Sequence, residues 1–384
     1  VPFFIEEFLR SFKDLEIIKK EDNKFYIAKD VQDVTIPSTI QDVIMARVDS
    51  LPEGTKEVLQ TGSVIEREFE YELIKRVTGL SEQELLSHLA VLRDSELLYE
   101  RGIYPQSTYI FKHALTREVV HDSILTRRKK KLHEEIGNTI EEINKENLDE
   151  HYGVLAEHYI NSENYMKGAD YSIKAGDKAA AVSAWQGAKQ QFETALDLLS
   201  EEDLQKKADV LQKLANVTNW KSEFETSLHY TELAIELYEK LNDKRNLFTM
   251  HMFANMLYIA PHWDGGREQE ALKHMEAAAA IAEEDPDSQE KGLIYQRTSH
   301  IYLHQGEPDQ TLIWAQKAVD LFTRLNIPMG TSWGTAMTYT GQIDEGIAYN
   351  ENNCEQALKT ANLFILGLAG HELVLTLALI RDIP

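Results

Sequence analysis

The feature of this sequence that most constrains its fold is a four-residue pattern that recurs through its second half. The pattern places mostly small or apolar residues at offsets 0, +4, +7 and +10, which lie on one face of an α-helix. Successive copies start 39, 44, 40 and 35 residues apart, a period typical of one helical hairpin per repeat. The copies are Ala188/Phe192/Ala195/Leu198, Ser227/Thr231/Ala234/Leu237, Ala271/Met275/Ala278/Ile281 and Thr311/Ala315/Ala318/Leu321, with a looser one starting at Gly346.

Small residues upstream of several copies indicate how the hairpins pack. Leu214-Ala215, Thr298-Ser299 and Trp333-Gly334 would let two antiparallel helices approach closely. Gly306 and Gly341 each precede a copy by five residues, where we expect a turn. We therefore predict a mainly α fold with a solenoid of paired helices over residues 131–384, which we expect to continue beyond residue 384. An irregular helical bundle is the alternative.

Residues 36–130 are predicted to form a compact unit of short helices followed by a β-hairpin. Ser38 is expected to cap the first helix, and Ser81-Glu-Gln-Glu84 is a capping box that begins a later one. The hairpin strands are predicted at Leu97–Glu100 and Thr108–Lys112. Three or four short helices followed by a β-hairpin is the order of a winged-helix domain.

A region of different character precedes that unit. Residues Phe3–Phe12 have apolar side chains at helical spacing, and Ile17–Lys20 and Lys24–Ala28 are predicted to form two short strands around a turn. Residues 1–35 are therefore predicted to be separate from the winged-helix unit.

The chain is strongly acidic, and its charge is unevenly distributed. The net charge is −24, to which residues 1–130 contribute −4 (19 Lys and Arg against 23 Asp and Glu) and residues 131–384 contribute −20 (21 against 41). A surface this acidic repels nucleic acid. The predicted second helix is also acidic (Glu53, Lys56 and Glu57, then Glu66, Glu68 and Glu70), which argues further against DNA binding. The basic run Arg127–Lys131 is predicted to face water and to offset the dipole of the preceding helix.

Cysteine usage and hydropathy favour a cytoplasmic protein. Cys354 is the single cysteine, so no internal disulfide can form, which fits a reducing compartment. The first residues lack the pattern of a signal peptide. The most apolar window, Phe364–Ile380, is interrupted by His371 and Glu372 and is too short to span a bilayer.

The sequence contains none of the common motifs for catalysis or phosphate binding. It has no G-x-x-x-x-G-K-[ST] loop and no G-x-G-x-x-G loop. It also has no H-E-x-x-H helix, no G-x-S-x-G elbow and no paired cysteines for zinc. We predict no catalytic residue, no metal site and no cofactor bound by this chain alone.

The most specific functional signal lies in residues 109–125, where a predicted strand runs directly into a predicted helix. His113 stands at the junction, and an imidazole there can donate a hydrogen bond to a phosphate and titrates near neutral pH. The alternative is that His113 only caps the helix or packs behind the hairpin. Arg117, one turn further on, is predicted to pair locally with Glu118 or Asp122.

Three segments together carry a resemblance to a known family. They are Pro-Phe-Phe-Ile-Glu-Glu at 2–7, Ile-Pro-Ser-Thr-Ile-Gln-Asp-Val-Ile-Met-Ala-Arg-Val-Asp at 36–49, and Phe-Lys-His-Ala-Leu-Thr-Arg-Glu-Val at 111–119. In this order they resemble the bacterial predicted ATPases of the STAND class, in particular those joined to class III adenylate/guanylate cyclase domains and tetratricopeptide repeats (TPRs).

The resemblance implies that a nucleotide-binding ATPase domain precedes this chain, so that residues 1–35 are the end of an ATPase lid or connector. ATP or ADP would then bind the parent protein, which the resemblance implies is an ATPase or an adenylate cyclase, rather than this chain. Pro2 matches the proline of the family's Gly-x-Pro motif, which lies against the adenine, although the matching glycine would precede Val1. His113 matches the histidine that related ATPases use to contact the ADP β-phosphate.

A long loop in the repeats is the predicted partner-binding segment. The sequence Ala-Pro-His-Trp-Asp-Gly-Gly at 260–266 interrupts the third repeat. Most aromatic residues of the repeats occupy hairpin packing positions, but His262 and Trp263 lie in this loop and are predicted to contact a ligand or partner.

The leading interpretation is therefore the regulatory and interaction arm of a STAND-type signalling ATPase. The winged helix would dock on the ATPase domain, a protein or small-molecule effector would bind the concave face of the TPR-like repeats, and the output would be cyclic-nucleotide synthesis. Two alternatives stay open. One is the sensor part of a transcription regulator with a DNA-binding domain beyond residue 384, and the other is a free-standing TPR scaffold.

Overall fold

The fold is mainly α-helical, as predicted. The chain divides into two compact units, residues 1–178 and residues 179–384. The computed structural model describes residues 5, 9, 18–21, 24–27, 39–259, 267–282, 287–326, 333–359 and 363–381.

The first unit combines short helices with two small antiparallel sheets. One sheet pairs β1 with β2, and the other has the strand order β3-β5-β4, in which Tyr109 of β5 lies opposite both Phe69 of β3 and Glu100 of β4. The elements are β1 (Ile18–Glu21), β2 (Lys24–Ile27), α1 (Ile40–Asp49), α2 (Glu53–Ile65), β3 (Glu68–Glu70), α3 (Tyr71–Thr78), α4 (Glu82–Asp94), β4 (Leu98–Arg101), β5 (Thr108–Phe111), α5 (Ala114–Asp122), α6 (Thr126–Ile143), α7 (Tyr152–Asn161) and α8 (Tyr165–Ala181).

Local sequence signals account for most of these elements. The capping box of α4 is present: the Ser81 hydroxyl accepts a hydrogen bond from the Glu84 amide at 3.4 Å, and the Glu84 carboxylate accepts one from the Ser81 amide at 3.2 Å. The cap of α1 is Thr39 rather than Ser38, which lies outside the described residues. The Thr39 hydroxyl accepts from the amide of Asp42, and together they form a capping box.

Strand β3 was not predicted, and it changes the interpretation of the acidic residues near it. Glu68 and Glu70 lie on β3, while α2 already ends at Ile65. Phe69, between the two glutamates, is buried and packs against Tyr109 and Phe111. One apolar residue in a three-residue strand is too short a pattern to predict a strand from the sequence. Pairing with β5 is what stabilises β3.

The core of the first unit extends beyond residue 130. Buried side chains of α2, α4 and β5 belong to one cluster with Leu132, Ile136 and Ile140 of α6 and with Leu155 and Tyr159 of α7. Helix α6 therefore contributes to the same hydrophobic core as the strands.

The basic run Arg127–Lys131 forms the first turn of α6, where the helix dipole disfavours positive charge. Ion pairs with carboxylates, rather than the dipole of α5, hold these side chains. The pairs are Arg128–Glu57 at 3.1 Å, Lys129–Asp122 at 3.8 Å, Lys130–Glu163 at 2.5 Å and Lys131–Glu135 at 3.3 Å.

The second unit is a TPR-like series of helical hairpins. Consecutive helices pack against each other along the chain. The helices are α9 (Trp185–Leu198), α10 (Leu204–Trp220), α11 (Phe224–Leu241), α12 (Lys244–Ile259), α13 (Glu268–Ala282), α14 (Gln289–His304), α15 (Pro308–Arg324), α16 (Trp333–Tyr339), α17 (Ile343–Lys359) and α18 (Leu363–Arg381).

The repeated pattern marks the buried face of alternate helices, as predicted. In α9, α11, α13 and α15 the residues at its first three positions are all buried. The predicted turn glycines Gly306 and Gly341 adopt φ of 74° and 89°, a left-handed conformation that glycine adopts without strain.

Small residues bring the paired helices close together, also as predicted. A Cβ added at Gly346 of α17 would lie 2.4 Å from the carbonyl oxygen of Gly334 in α16. In three other hairpins a buried polar side chain bonds across the pair. These bonds run from Ser227 to the carbonyl of Ala215 (2.7 Å), from Asn255 to that of Ala271 (3.2 Å) and from Ser299 to that of Thr311 (3.0 Å).

Among the described residues, no helix is both long enough and apolar enough to cross a membrane.

Candidate functional site at the strand-to-helix junction

Of the predicted site residues, the structure describes His113. Pro2, His262 and Trp263 lie outside the described residues. His113 is half-buried and directly precedes α5, two residues after the end of β5. The predicted junction between a strand and a helix is therefore present.

The strand side of the junction is fixed by two backbone hydrogen bonds. The amide of Phe111 donates to the carbonyl of Arg67 at 3.0 Å, and the amide of Lys112 donates to the carbonyl of Leu97 at 3.0 Å. Phe111 is also fully buried. The chain that leads into His113 is thus held between the residues that directly precede β3 and β4.

The helix side is held by the backbone of His113. Its carbonyl accepts hydrogen bonds from the amides of Thr116 at 3.1 Å and Arg117 at 3.4 Å. His113 itself is extended (φ −133°, ψ 139°), as expected for the residue at a helix N-cap. Thr116 is buried, so the first turn of α5 is anchored in the unit.

Arg117 takes a different partner from the two that were predicted. Its Nε donates to the backbone carbonyl of Ser63 at 2.9 Å, which ties α5 to the last turn of α2. Asp122, one of the predicted partners, instead lies 3.8 Å from the ammonium of Lys129. The backbone carbonyls in the last turn of a helix have no partner within the helix. The carbonyl of Ser63 can therefore accept from Arg117, in place of the predicted local ion pair.

Lys112 is the other cation at the junction. Its ammonium forms a 2.6 Å ion pair with Glu96 and lies 5.7 Å from the centre of the Tyr99 ring. Lys112 and Arg117 are therefore both used to hold the junction together. The backbone of His113 is fixed on both sides, and the Nε2 atom of its imidazole is buried.

Two histidine pairs, one buried and one partly buried, were not predicted. The Nδ1 atoms of His133 (α6) and His158 (α7) are 2.9 Å apart in the first unit, and those of His251 (α12) and His274 (α13) are 2.9 Å apart in the second. Burial lowers the pKa of His133 to about 3 and that of His158 to about 4. The two histidines of each pair lie 25 and 23 residues apart in the sequence, so no local spacing pattern predicts their contact.

A buried polar cluster joins the last helices of the second unit. The Glu372 carboxylate (α18) accepts hydrogen bonds from the His300 ring (α14) and, at 2.5 Å, from the Thr335 hydroxyl (α16). Asn350 (α17) donates to the Thr376 hydroxyl (α18) at 2.8 Å. Burial alone raises the pKa of Glu372, but the His300 charge and the hydrogen bonds from His300 and Thr335 hold it below its usual value.

No protein-family model and no curated protein matches the sequence. Among solved structures, the chain is similar to a Signal Transduction ATPase with Numerous Domains (STAND) protein with a tetratricopeptide repeat sensor from Pyrococcus horikoshii. The TM-score is 0.44 and the identity 16%, over 90% of this chain. The chain spans 57% of the length of that protein.

The chain is similar to other helical-repeat structures too. For a thermophilic TPR protein of Thermus thermophilus the TM-score is 0.37 and the identity 18%, over 54% of this chain and 99% of that one. For aspartyl phosphate phosphatase F of Bacillus subtilis the TM-score is 0.37 and the identity 11%, over 98% of this chain and 80% of that one. Likeness at this level concerns architecture, which does not imply a shared function.

Proposed function

We propose that this chain is the regulatory and interaction portion of a STAND-type signalling ATPase. The first unit docks on a nucleotide-binding domain and reports its nucleotide state through His113. The helical repeats bind an effector that changes this docking, and the output of the parent protein is cyclic-nucleotide synthesis. The observation that carries the proposal is the position of His113 on a rigidly held strand-to-helix junction, inside the sequence segment that resembles this family.

The order of elements around the junction supports a winged helix. Residues 53–111 follow the order helix, strand, helix, helix, strand, strand, and the three strands pair as β3-β5-β4. In this arrangement α4 is the helix that a DNA-binding winged helix would present to the major groove. It carries Glu82, Glu84 and Asp94 against one arginine, Arg93, so it repels phosphates. These charges favour a module that packs against protein.

The geometry at His113 suits a nucleotide sensor. Its backbone is hydrogen-bonded to α5, and the two preceding residues are hydrogen-bonded to Arg67 and Leu97, which directly precede β3 and β4. An imidazole on such a support can donate a hydrogen bond to a phosphate without a large loss of conformational entropy. Any movement of the phosphate would then be transmitted to the whole winged helix rather than absorbed by a loop.

The test is the ADP affinity of the full-length protein that contains this chain. His113→Ala is expected to weaken ADP binding about 10- to 100-fold, because one hydrogen bond to a charged group contributes about 1.5 to 3 kcal/mol. His113→Gln keeps a side-chain donor and should restore part of the affinity. Isothermal titration with ADP measures both variants.

His229→Ala is the matched control, because His229 is an exposed histidine on α11 of the second unit. Its ADP affinity should equal that of the wild type. Unchanged ADP binding in a folded His113→Ala protein would reject the sensor role, and with it the observation on which the proposal depends.

A further inference from the structure

A cavity of about 370 Å³ opens between α13, α14 and α15 of the second unit. Its walls are largely apolar and are formed by Met275 of α13, Ile294 and Tyr295 of α14, and Trp314 of α15. The Tyr295 and Trp314 rings lie 5.8 Å apart and are inclined by 46°, so they form two sides of one aromatic corner. The volume is in the range of pockets that bind small organic ligands, about 300 to 1,000 Å³.

The charge of this cavity is opposite to that of the surrounding unit. Lys291 and Lys317 line it with one carboxylate, Glu276, which leaves one net positive charge. The Lys317 ammonium lies 3.9 Å from the centre of the Trp314 ring and 5.9 Å from that of Tyr295. It is thus held at the aromatic corner, although residues 131–384 as a whole carry a charge of −20.

We propose that this cavity binds a small amphipathic anion, an organic acid with an aromatic or branched aliphatic body. The body packs against Met275, Ile294 and Trp314, and the acid group pairs with Lys317. A desolvated aromatic wall strengthens this pair, because the local dielectric constant is lower than that of water. Neutral apolar molecules would lack the ion pair, and cations would meet two ammonium groups.

The location of the cavity indicates what binding would do. It is formed by three consecutive helices, and a ligand that contacts all three favours the arrangement in which they are close together. The inference names an effector class for the repeats, so its regulatory meaning rests on the proposed function. Binding itself is a property of the 384-residue chain and needs no nucleotide domain, so the two proposals fail separately.

Two fluorescent probes of nearly the same shape test the inference on the purified chain. Anilinonaphthalene sulfonate carries an anionic group, and N-phenylnaphthylamine lacks it. We expect the sulfonate to bind with one-to-one stoichiometry and at least about tenfold more tightly, since a charge-assisted contact contributes about 1.5 to 3 kcal/mol. Lys317→Met keeps the length of the side chain and should remove this advantage while leaving the neutral probe unaffected.

Three further variants decide whether the site is this cavity. Lys317→Arg should retain sulfonate binding, and Ala279→Phe, which fills the cavity, should abolish binding of both probes. Lys213→Met is the control, because the Lys213 ammonium lies outside the cavity, 5.8 Å from the centre of the Phe192 ring. This variant should bind both probes like the wild type. Circular dichroism confirms that each variant is folded. Equal affinity for the two probes, or sulfonate binding that survives both Lys317→Met and Ala279→Phe, would overturn the inference.

Discussion

Replacing Glu372 by alanine is expected to destabilise the C-terminal helices of the second unit by about 3 to 5 kcal/mol, the usual cost of removing one partner of a buried charge pair. Glu372 is 2% exposed, and its carboxylate is the common acceptor for His300 and Thr335. Without it, the buried His300 imidazole and the buried Thr335 hydroxyl lose the acceptor that they share. Part of their desolvation is then no longer offset.

The effect should be local to the helices that meet at Glu372. Hydrogen exchange measured on peptides of α14, α16 and α18 should rise by two orders of magnitude or more, since each 1.4 kcal/mol is about a factor of ten. Glu372→Gln preserves the shape and an acceptor oxygen and should cost less, about 1 to 2 kcal/mol.

Glu355→Ala is the control for this prediction. Glu355 is an exposed residue of α17 whose ion pair with Lys359 is 4.0 Å long, so it should change stability by less than about 0.5 kcal/mol. Equal exchange rates in the Glu372→Ala and Glu355→Ala proteins would show that the buried cluster does not stabilise these helices.

Mild acid is expected to destabilise the first unit through His133 and His158. Burial lowers both pKa values, and for His133 the neighbouring His158, His121, Lys129 and Arg117 lower it further. The neutral pair shares one proton between its Nδ1 atoms, so the first added proton is opposed mainly by burial. The second would place two donors face to face.

The direction of the pH dependence follows from the histidine pKa values in the folded and unfolded states. The unfolded chain takes up protons near pH 6.5, but the folded pair stays neutral down to about pH 4. The stabilisation is therefore complete above pH 6.5 and is lost progressively as the pH falls through this window. For the pair we expect a loss of about 3 kcal/mol between pH 6.5 and pH 5, where most carboxylates are still ionised.

Urea unfolding at a series of pH values measures this loss. In the double variant His133→Gln with His158→Gln, the pH dependence attributable to the pair should disappear, although the protein is less stable at pH 7. His229→Gln should unfold like the wild type at every pH. A double variant with the same slope as the wild type between pH 6.5 and pH 5 would contradict the assignment.

The repeats were predictable because their determinants are local. Alternate helices show their buried face in the spacing of their own residues, as at Ala188, Ala234 and Ala278. The turn glycines Gly306 and Gly341 mark where two of the hairpins reverse. The same holds for the capping box at Ser81. These signals act within one or two turns of the chain, where periodicity and hydrogen-bonding rules apply.

The polar interior was not predictable for the opposite reason. Glu372 stands out only as a charge within an apolar helix, and its partner His300 lies 72 residues away. Arg117 had plausible partners in Glu118 and Asp122, one and five residues away. Tertiary packing instead places its guanidinium against the backbone carbonyl of Ser63. Such contacts depend on how helices meet, which a single sequence does not specify residue by residue.

We propose above all that this chain docks on a nucleotide-binding domain in a manner set by the bound nucleotide. The most direct measurement is the affinity of the purified chain for the nucleotide-binding domain of its parent protein, loaded in turn with ADP and with a non-hydrolysable ATP analogue. We expect binding at least about tenfold tighter with ADP, a coupling of about 1.4 kcal/mol, and we expect His113→Ala to remove the difference. Equal affinity for both loaded forms, or no binding to either, would contradict it.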